Sequence, residues 1–404
     1  MTVYETQCKD VPDVITSFAA VLDRKSILKH EFWINPQKGI DNGAFFWYNI
    51  GKINRNPRVV RDGKESALKY YFIVNPVAGK GKFATHVCEK IESYAADHEF
   101  EYEIRMTEGR GDATRIAREI CETVPEEKVV FACGGDGMVS EVASGVAGYD
   151  AVTLGVLPAG TGNDFVRSFT FPKQFASMEA QMEGHTVSID AIHYTGDDGL
   201  DAYSLNVLNM GFDCHVVACT DRAKKVPLVR SSFAYMVGVA MATVTKPGLI
   251  GELSVDDGPF EPFDLMFLLA ANGRFYGGGY LPAPYAMMSD GQIDLCCVKN
   301  VSRATLVRLI STYRDGTFLK QKYVIDKKIA RYERCHHIDI RFPQPTAVCG
   351  DGEITETTQL HAEICPGKIR LLLPKGCSLL KAVESTAEDL AALMQDTAPA
   401  EEKV

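Results

Sequence analysis

Three glycine-rich segments in the first half of the chain combine residue types that bind phosphate. They are Asn75–Gly79, Gly134–Gly137 and Pro158–Asp164, and each contains a polar side chain. Glycine lets the backbone approach a ligand closely, and a turn that opens a helix aims N–H groups at phosphate. A single turn of this kind is as often a plain strand–helix connection. Three of them in one stretch indicate a site for a phosphate-bearing ligand.

Two Asp-Gly turns in the second half could supply carboxylates. Asp351 and Glu353 flank Gly352, and a phosphoryl acceptor hydroxyl needs a carboxylate that orients it and takes its proton. The second turn contains Asp290, with Asp294 four residues further on, and oxygen ligands this close can hold Mg²⁺ or Ca²⁺. A plain hairpin is the commoner reason for either turn, because Asp-Gly is a frequent hairpin signal.

The glycine segments do not match the commonest nucleotide motifs well. The letters Gly79-x-Gly81-x-x-Ala84 fit the dinucleotide fingerprint, but that fingerprint needs a glycine in the tight turn, where Asn75 and Pro76 stand. No Gly-Lys pair is followed by Ser or Thr, so a Walker loop is absent. Polar side chains with few cations instead suit a nucleotide whose charge Mg²⁺ partly neutralises. These side chains are Asn75, Thr107, Asp136, Thr161, Asn163 and Asp164.

Alternating strands and helices must position the glycine segments. Apolar, β-prone runs predict strands at Tyr70–Val74, Glu101–Met106, Val129–Cys133 and Ala151–Leu157, with amphipathic helices between them. This alternation indicates the α/β class, with a doubly wound parallel sheet. Ligands of such sheets bind at the carboxyl ends of the strands, and all three glycine segments follow strand ends.

Short strands between turns replace this pattern after Ser188 and predict a mostly β second domain. Predicted helices near Ser231–Val244 and Ser302–Thr312 interrupt the strands, and Ile369–Leu373 is a last strand. The predicted organisation is an N-terminal extension (1–68), an α/β nucleotide domain (69–187), a β-rich substrate domain (188–367), a strand returning to the first domain (368–383) and an acidic disordered tail (384–404).

Composition excludes several classes of function. The net charge of −10 and the lack of a Lys/Arg-rich block argue against a nucleic-acid partner. The 12 cysteines include no Cys-x-x-Cys pair, and the N-terminus has no signal pattern, so we expect reduced thiols and a cytoplasmic location. No apolar run is long enough to span a membrane. Trp33 and Trp47 lie in the extension, where they suit an arm packed on the core or an interfacial surface.

The glycine motifs, taken together, resemble those of the diacylglycerol kinase catalytic domain family. Asn75-Pro76-x-x-Gly79, Gly134-Gly135-Asp136-Gly137 with Glu141, and Pro158-x-Gly160-Thr161-x-Asn163-Asp164-Phe165 agree with it in order and spacing. Tyr276–Gly279, Asp290-Gly291 and Gly350–Glu353 extend the resemblance, which covers roughly residues 69–375. Bacterial soluble diacylglycerol kinases and sphingosine kinases belong to this family. One departure is Met138, which stands where the family usually has threonine.

The resemblance implies an α/β nucleotide domain and a β-sandwich-like domain with a cleft between them. It implies that ATP and Mg²⁺ are used, that Asp351 and Glu353 are catalytic, and that a structural Mg²⁺ lies near Asp290 with main-chain oxygens of Met287 and Gln292. The implied ATP site comprises Asn75, Pro76, Val77, Ala78, Gly79, Thr107, Gly134, Gly135, Asp136, Gly137, Glu141, Gly160, Thr161, Asn163 and Asp164.

The resemblance also implies an activity. We expect a lipid kinase that transfers the ATP γ-phosphate to a lipid hydroxyl, with diacylglycerol converted to phosphatidic acid. The alternatives are a related kinase acting on a soluble hydroxyl such as that of NAD, and a binding protein without turnover. The enzyme would associate peripherally with the inner face of the membrane, and a homodimer is left open. Candidate basic contacts are Lys80, Lys82, Lys320, Lys322, Lys327, Lys328 and Arg331.

Overall fold

The computed structural model describes residues 58–61, 64–98, 100–160, 162–224, 231–245 and 248–381. The aromatic residues Trp33 and Trp47, the acidic tail 384–404 and Thr161 lie outside these ranges. The first described elements are strands β1 (Arg58–Arg61) and β2 (Lys64–Ala67), which form an antiparallel hairpin. Within the described ranges, no helix is both long and apolar enough to cross a membrane.

The first half of the molecule alternates strands with helices. In chain order these are β3 (Lys69–Val74), α1 (Lys82–His98), β4 (Tyr102–Met106), α2 (Asp112–Thr123), β5 (Lys128–Gly134), α3 (Asp136–Val146) and β6 (Val152–Pro158). Strand β3 lies between β4 and β5, and β5 pairs with β6. All three pairings are parallel, so the turns after β3, β5 and β6 lie at one edge of the sheet.

The sheet is covered on both faces because successive strand side chains point to opposite sides. Ile73 of β3 packs in one cluster with Ile116 of α2 and Val142 of α3. The neighbouring residue Phe72 packs in another cluster with Ile91 of α1, and its ring stacks on Phe131 at 4.7 Å. The predicted α/β class is therefore confirmed.

The second half is dominated by strands. After α4 (Met178–Met182) come β7 (His185–Gly196), β8 (Asp201–Ser204), β9 (Val207–Gly211), α5 (Phe212–Lys224), α6 (Ser231–Thr245), β10 (Leu249–Val255), β11 (Glu261–Ala271), β12 (Ile293–Lys299), α7 (Arg303–Tyr313), α8 (Lys322–Asp326), β13 (Ala330–Cys335), β14 (His337–Gly350) and β15 (Glu353–Leu373). The stretch 202–210 contains two strands, β8 and β9, rather than one continuous strand. Helix α5 was not predicted.

Strand β15 joins the two halves into one sheet. Along most of its 21 residues it pairs antiparallel with β7 and β14, and near its end Leu371 pairs in parallel with Leu154 of β6. The predicted last strand Ile369–Leu373 is therefore the end of a longer strand that begins at Glu353. The two described halves share a sheet of 13 strands.

Candidate active site

A cleft with a volume of about 350 Å³ opens between the two halves of the molecule. Gly135 and Gly160, which follow β5 and β6, line it from the first half, and Asn209 and Asp351 line it from the second. Two of the three predicted glycine segments thus lie in the same cavity as one of the predicted catalytic carboxylates. This juxtaposition is what phosphoryl transfer between two bound substrates requires.

The glycine turns at Gly135 and Gly160 approach each other through their backbones. A Cβ atom added at Gly160 would lie 2.9 Å from the Cα of Gly135 and 2.9 Å from Oδ1 of Asn163. The N–H of Ala159 donates to the carbonyl oxygen of Gly134 at 2.7 Å, which holds the two turns together. Side chains are excluded at this point, so backbone N–H groups can reach a ligand in the cleft.

The carboxylates Asp136 and Asp164 tie neighbouring loops to one another. Asp136 Oδ1 accepts a hydrogen bond from the N–H of Phe165 at 3.1 Å. Asp164 Oδ2 accepts from the N–H of Gly278 at 2.7 Å, which links the third glycine turn to the second half. Burial raises the pKa of Asp136, and burial together with the nearby Asp136 charge raises that of Asp164 to about 6.

The Asp351 carboxylate is held in the cleft by donors from the β8–β9 connection. Oδ1 accepts from the Ser204 hydroxyl at 2.9 Å and from the N–H groups of Asn206 at 3.1 Å and Val207 at 2.9 Å. Among the residues that the structure describes, the N–H of Leu205 is the one donor to Oδ2, at 2.8 Å. The enclosed position raises the pKa of Asp351 to about 6, although these hydrogen bonds oppose the rise. One lone pair of Oδ2 is thus left for another partner.

The break between β8 and β9 follows from these same hydrogen bonds. The backbone N–H groups of Leu205, Asn206 and Val207 turn towards Asp351 instead of continuing the sheet. The hydrogen-bonded residues are more than 140 positions apart in the sequence, so no local sequence pattern predicts these contacts.

Glu353 lies beside the amino-terminal turn of α3. A Cβ atom on Gly137 would be 3.0 Å from its Oε1, while its Oε2 forms an ion pair with Arg110. Glu141 accepts from the N–H groups of Gly111 at 2.9 Å and Ala113 at 3.1 Å. Glu141 therefore holds the loop that carries Arg110, and the predicted direct contact of Glu141 with nucleotide stays a prediction.

The first glycine segment, Asn75–Gly79, lies at the same sheet edge, but none of its residues is among those that line the cleft. Asn75 Oδ1 accepts from the N–H of Val77 at 3.0 Å, which closes a local turn, and Val77 is 76% exposed. Pro76, Ala78 and Gly79 continue that turn. The N–H of Thr107 donates to the carbonyl of Val74 at 3.0 Å, and Thr107 is buried. Their roles in ATP binding stay predictions.

The predicted structural metal site is a turn that protein groups already hold. Asp290 Oδ1 accepts from the N–H of Gln292 at 3.2 Å, Asp190 Oδ2 accepts from that of Gly291 at 2.8 Å, and Arg334 lies 3.7 Å from Asp290 Oδ2. The buried Oδ2 of Asp290 has no hydrogen-bond partner within the described ranges and fits one ligand oxygen. No group of three His, Cys, Asp or Glu side chains in the described ranges could hold a metal. Coordination by Asp290 with the main-chain oxygens of Met287 and Gln292 stays a prediction.

Sequence reasoning missed several polar residues of the cleft, among them Asn209 and Asp213. Asn209 is 3% exposed, and its Oδ1 has no hydrogen-bond partner in the described part of the chain. Asp213, in the first turn of α5, accepts from the Tyr313 hydroxyl at 3.0 Å, and the Tyr276 hydroxyl donates to that of Tyr313 at 3.2 Å. The sequence signal that could have identified them is that they are polar residues within the apolar run around Met210. A polar group buried in such a run needs a partner, which can be a ligand.

Burial raises the pKa of Asp213 to about 6, which makes a prediction about stability. Its unfolded pKa is about 4, so between these values the folded state binds the extra proton and stability rises as the pH falls. At about pH 7.5 the buried charge is a cost, and the Asp213→Asn variant should melt about 3 °C higher than the parent. The difference should shrink towards zero near pH 4. Thermal melts across this range would check it, and a pH-independent difference would contradict it.

Two family profiles match the chain in succession. The Diacylglycerol kinase catalytic domain matches residues 69–194, and the YegS C-terminal NAD kinase beta sandwich-like domain matches residues 206–373. A probable lipid kinase YegS-like from Xanthomonas axonopodis pv. citri (strain 306) is 30% identical over 290 residues, covering 69% of this chain and 88% of the relative. The chain belongs to the diacylglycerol kinase catalytic domain family.

Other members of the diacylglycerol kinase catalytic domain family align over a similar stretch. The putative lipid kinase YtlR of Bacillus subtilis (strain 168) is 27% identical over 317 residues, covering 75% of this chain and 98% of the relative. The crystal structure of a putative diacylglycerol kinase from Bacillus anthracis str. Sterne shares the fold, with a TM-score of 0.57, 23% identity and coverage of 76% of this chain and 97% of that one. The predicted family is therefore confirmed. It is a lipid kinase family, and membership implies ATP use.

Met138, where this family member departs from the usual threonine, is buried against the second glycine turn. Its Cβ and Cγ would lie 2.7 and 2.8 Å from a Cβ atom added at Gly134. A side chain at position 134 would clash with Met138, so the packing of this methionine requires glycine there.

Proposed function

We propose that this chain transfers the γ-phosphate of ATP to the free hydroxyl of diacylglycerol. The observation that carries the proposal is that Asp351, with one lone pair available, lies in the same cleft as the Gly135 and Gly160 turns. A phosphate donor held by backbone N–H groups and a base for the acceptor are the two components that phosphoryl transfer needs.

The charge of the cleft favours ATP accompanied by Mg²⁺. Four carboxylates line the cleft, namely those of Asp136, Asp164, Asp213 and Asp351. No Lys, Arg or His is among the described residues that line it. A triphosphate next to these carboxylates requires a counter-ion, and Mg²⁺ prefers oxygen ligands of this kind. When bound, the ion would neutralise charge on the phosphates.

The second half of the cleft suits an acceptor with an apolar body. Asp213, Val217 and Thr220 of α5 line it, and their spacing of four and three residues places them on one face of the helix. Val207 and Phe165 add apolar wall. An acyl chain of the acceptor would lie along this face, which leaves the hydroxyl of the acceptor to donate to Asp351.

The residues of the chain then act mainly by positioning. The transition state of phosphoryl transfer is loose, so alignment of the two substrates and stabilisation of charge supply most of the rate. The free lone pair of Asp351 Oδ2 would orient the acceptor hydroxyl and accept its proton. The Arg110–Glu353 ion pair connects the first half of the molecule to the second and would keep the two halves aligned.

Labelled ATP tests the proposed function directly. Three parallel reactions contain the full chain, labelled ATP and Mg²⁺. The first adds mixed micelles of diacylglycerol, the second adds micelles alone, and the third adds NAD. We expect label in an organic-extractable phosphatidic acid only in the first reaction, and we expect EDTA to abolish it. Label in a NAD phosphate instead would favour the soluble-hydroxyl alternative. ATP binding without transfer to any lipid would contradict the proposal.

A further inference from the structure

One segment of this acidic chain has a net positive charge, although its cations are mostly spaced apart and form no continuous Lys/Arg block. Residues 303–328 contain seven Lys or Arg and two Asp, a net charge of +5, whereas the whole chain carries −10. The segment spans α7, α8 and their connection. Such a concentration of one sign in a chain of the other marks a surface for an anionic partner.

Helix α7 turns its positive charges outwards. Leu306, Leu309 and Tyr313 are buried beneath it. Arg303, Val307 and Arg308 of the helix are exposed, as is Arg314 directly after it, and no residue of the helix is acidic. Val307 is 56% exposed, so this side is both basic and partly apolar.

Two neighbouring helices extend the same surface. The Arg308 guanidinium lies 4.0 Å from the ring centroid of Tyr323 in α8, where Lys322 and Ile325 are exposed, as is Lys327 just beyond. On the other side, Arg303 Nη2 donates to the carbonyl of Val244 at 2.9 Å, at the end of α6. Ile325 is 44% exposed and Val244 is 43% exposed. We call this surface, made of Arg303, Arg308, Arg314, Lys322 and Lys327 with Val244, Val307 and Ile325, the basic face.

The basic face adjoins the acceptor side of the cleft. Helix α6, which ends at the basic face, packs tightly on α5, because a Cβ atom on Gly238 would lie 2.8 Å from the backbone nitrogen of Thr220. Thr220 lines the cleft. A surface lying against this face would therefore be separated from the cleft by one helix pair.

We propose that the basic face docks the protein on an anionic lipid membrane and so presents the α5–α6 pair to the acceptor. This rests on the proposed function, since a membrane is where a diacyl acceptor resides. The cations match the negative surface of an anionic bilayer, and the exposed aliphatic side chains suit its interfacial layer. A cation near such a surface strengthens binding about fivefold.

Vesicle sedimentation of the full chain without ATP tests the docking surface. The charge variant combines Arg308→Gln, Lys322→Gln and Lys327→Gln, and the matched control combines Lys90→Gln, Arg118→Gln and Lys173→Gln, three exposed cations of the first half. On phosphatidylcholine vesicles that contain phosphatidylglycerol, the charge variant should bind about tenfold more weakly or worse. The control should bind like the parent, and high salt should remove the difference between them.

A second variant tests the exposed aliphatic side chains of the basic face. Measurements of phosphate transfer distinguish the docking proposal from the proposed kinase function. Val307→Ser with Ile325→Ser should weaken binding at both salt concentrations, while its melting temperature stays near that of the parent. Equal binding by the charge variant and the parent, or equal loss in the control, overturns the docking surface. Transfer to a detergent-dispersed acceptor should be unchanged in the charge variant. Docking through this face without any transfer would overturn only the proposed kinase function.

Discussion

Replacing Asp351 by asparagine should lower turnover about a hundredfold or more, because proton transfer by a positioned base contributes about that much. The carboxylate faces the cleft beside the glycine turns, and Oδ2 has a lone pair available for the acceptor hydroxyl. An amide cannot take the proton. ATP affinity should change little, because the turns around Gly135 and Gly160 are untouched. Steady-state turnover with diacylglycerol micelles and direct ATP-binding measurements would check both parts.

The control for Asp351→Asn is Asp198→Asn. Both aspartates have left-handed backbones, with φ of 48° at Asp351 and 55° at Asp198, which asparagine also tolerates. Asp198 is exposed and does not line the cleft, so its variant should turn over like the parent.

The pH profile of turnover gives a second readout for the assignment of Asp351 as base. The pKa of Asp351 is raised to about 6, so the turnover number of the parent should fall as the pH is lowered through that value. If Asp351→Asn keeps full turnover, or loses it only in proportion to folded protein, the assignment of Asp351 as base is wrong.

Local sequence patterns predicted the parts of the site that depend on short-range structure. The strand–glycine–helix pattern around Gly135 specifies its own geometry within about ten residues, and the α/β class follows from its repetition. The Asp-Gly turn at Asp351 is likewise local. Its position opposite Gly135 was suggested by family resemblance and could not be obtained from spacing.

Contacts between distant residues account for what the sequence did not predict. Asp164 has its partner, Gly278, 114 residues away, and the donors to Asp351 are about as remote. Glu141 accepts from the N–H groups of Gly111 and Ala113 at the start of another helix, which its own segment does not indicate, and its contact with the nucleotide stays a prediction. The periodicity of a strand predicts which of its faces is buried, but it does not predict which residues of other elements pack against that face. The hydrogen-bond partners of Asp164, Asp351 and Glu141 are therefore seen only in the folded chain.

Replacing Gly160 by alanine should weaken ATP binding about tenfold or more, because the two glycine turns must separate to make room. The added Cβ atom would lie 2.9 Å from Gly135 Cα and 2.9 Å from Asn163 Oδ1, closer than real Cβ contacts allow. Gly135→Ala should have a smaller effect, because its nearest contact would be Gly160 Cα at 3.4 Å. Titration calorimetry with a non-hydrolysable ATP analogue and Mg²⁺ would measure both.

Gly148→Ala is the matched control, because no atom lies within 4 Å of the added Cβ and its backbone is not left-handed. It should bind the analogue like the parent. The melting temperature of Gly160→Ala shows whether the variant is still folded. The predicted quantity is the affinity of the folded protein, so a loss of binding that comes from unfolding does not count. If Gly160→Ala binds the analogue as tightly as Gly148→Ala, the phosphates do not lie between these turns, and the nucleotide must be placed elsewhere in the cleft.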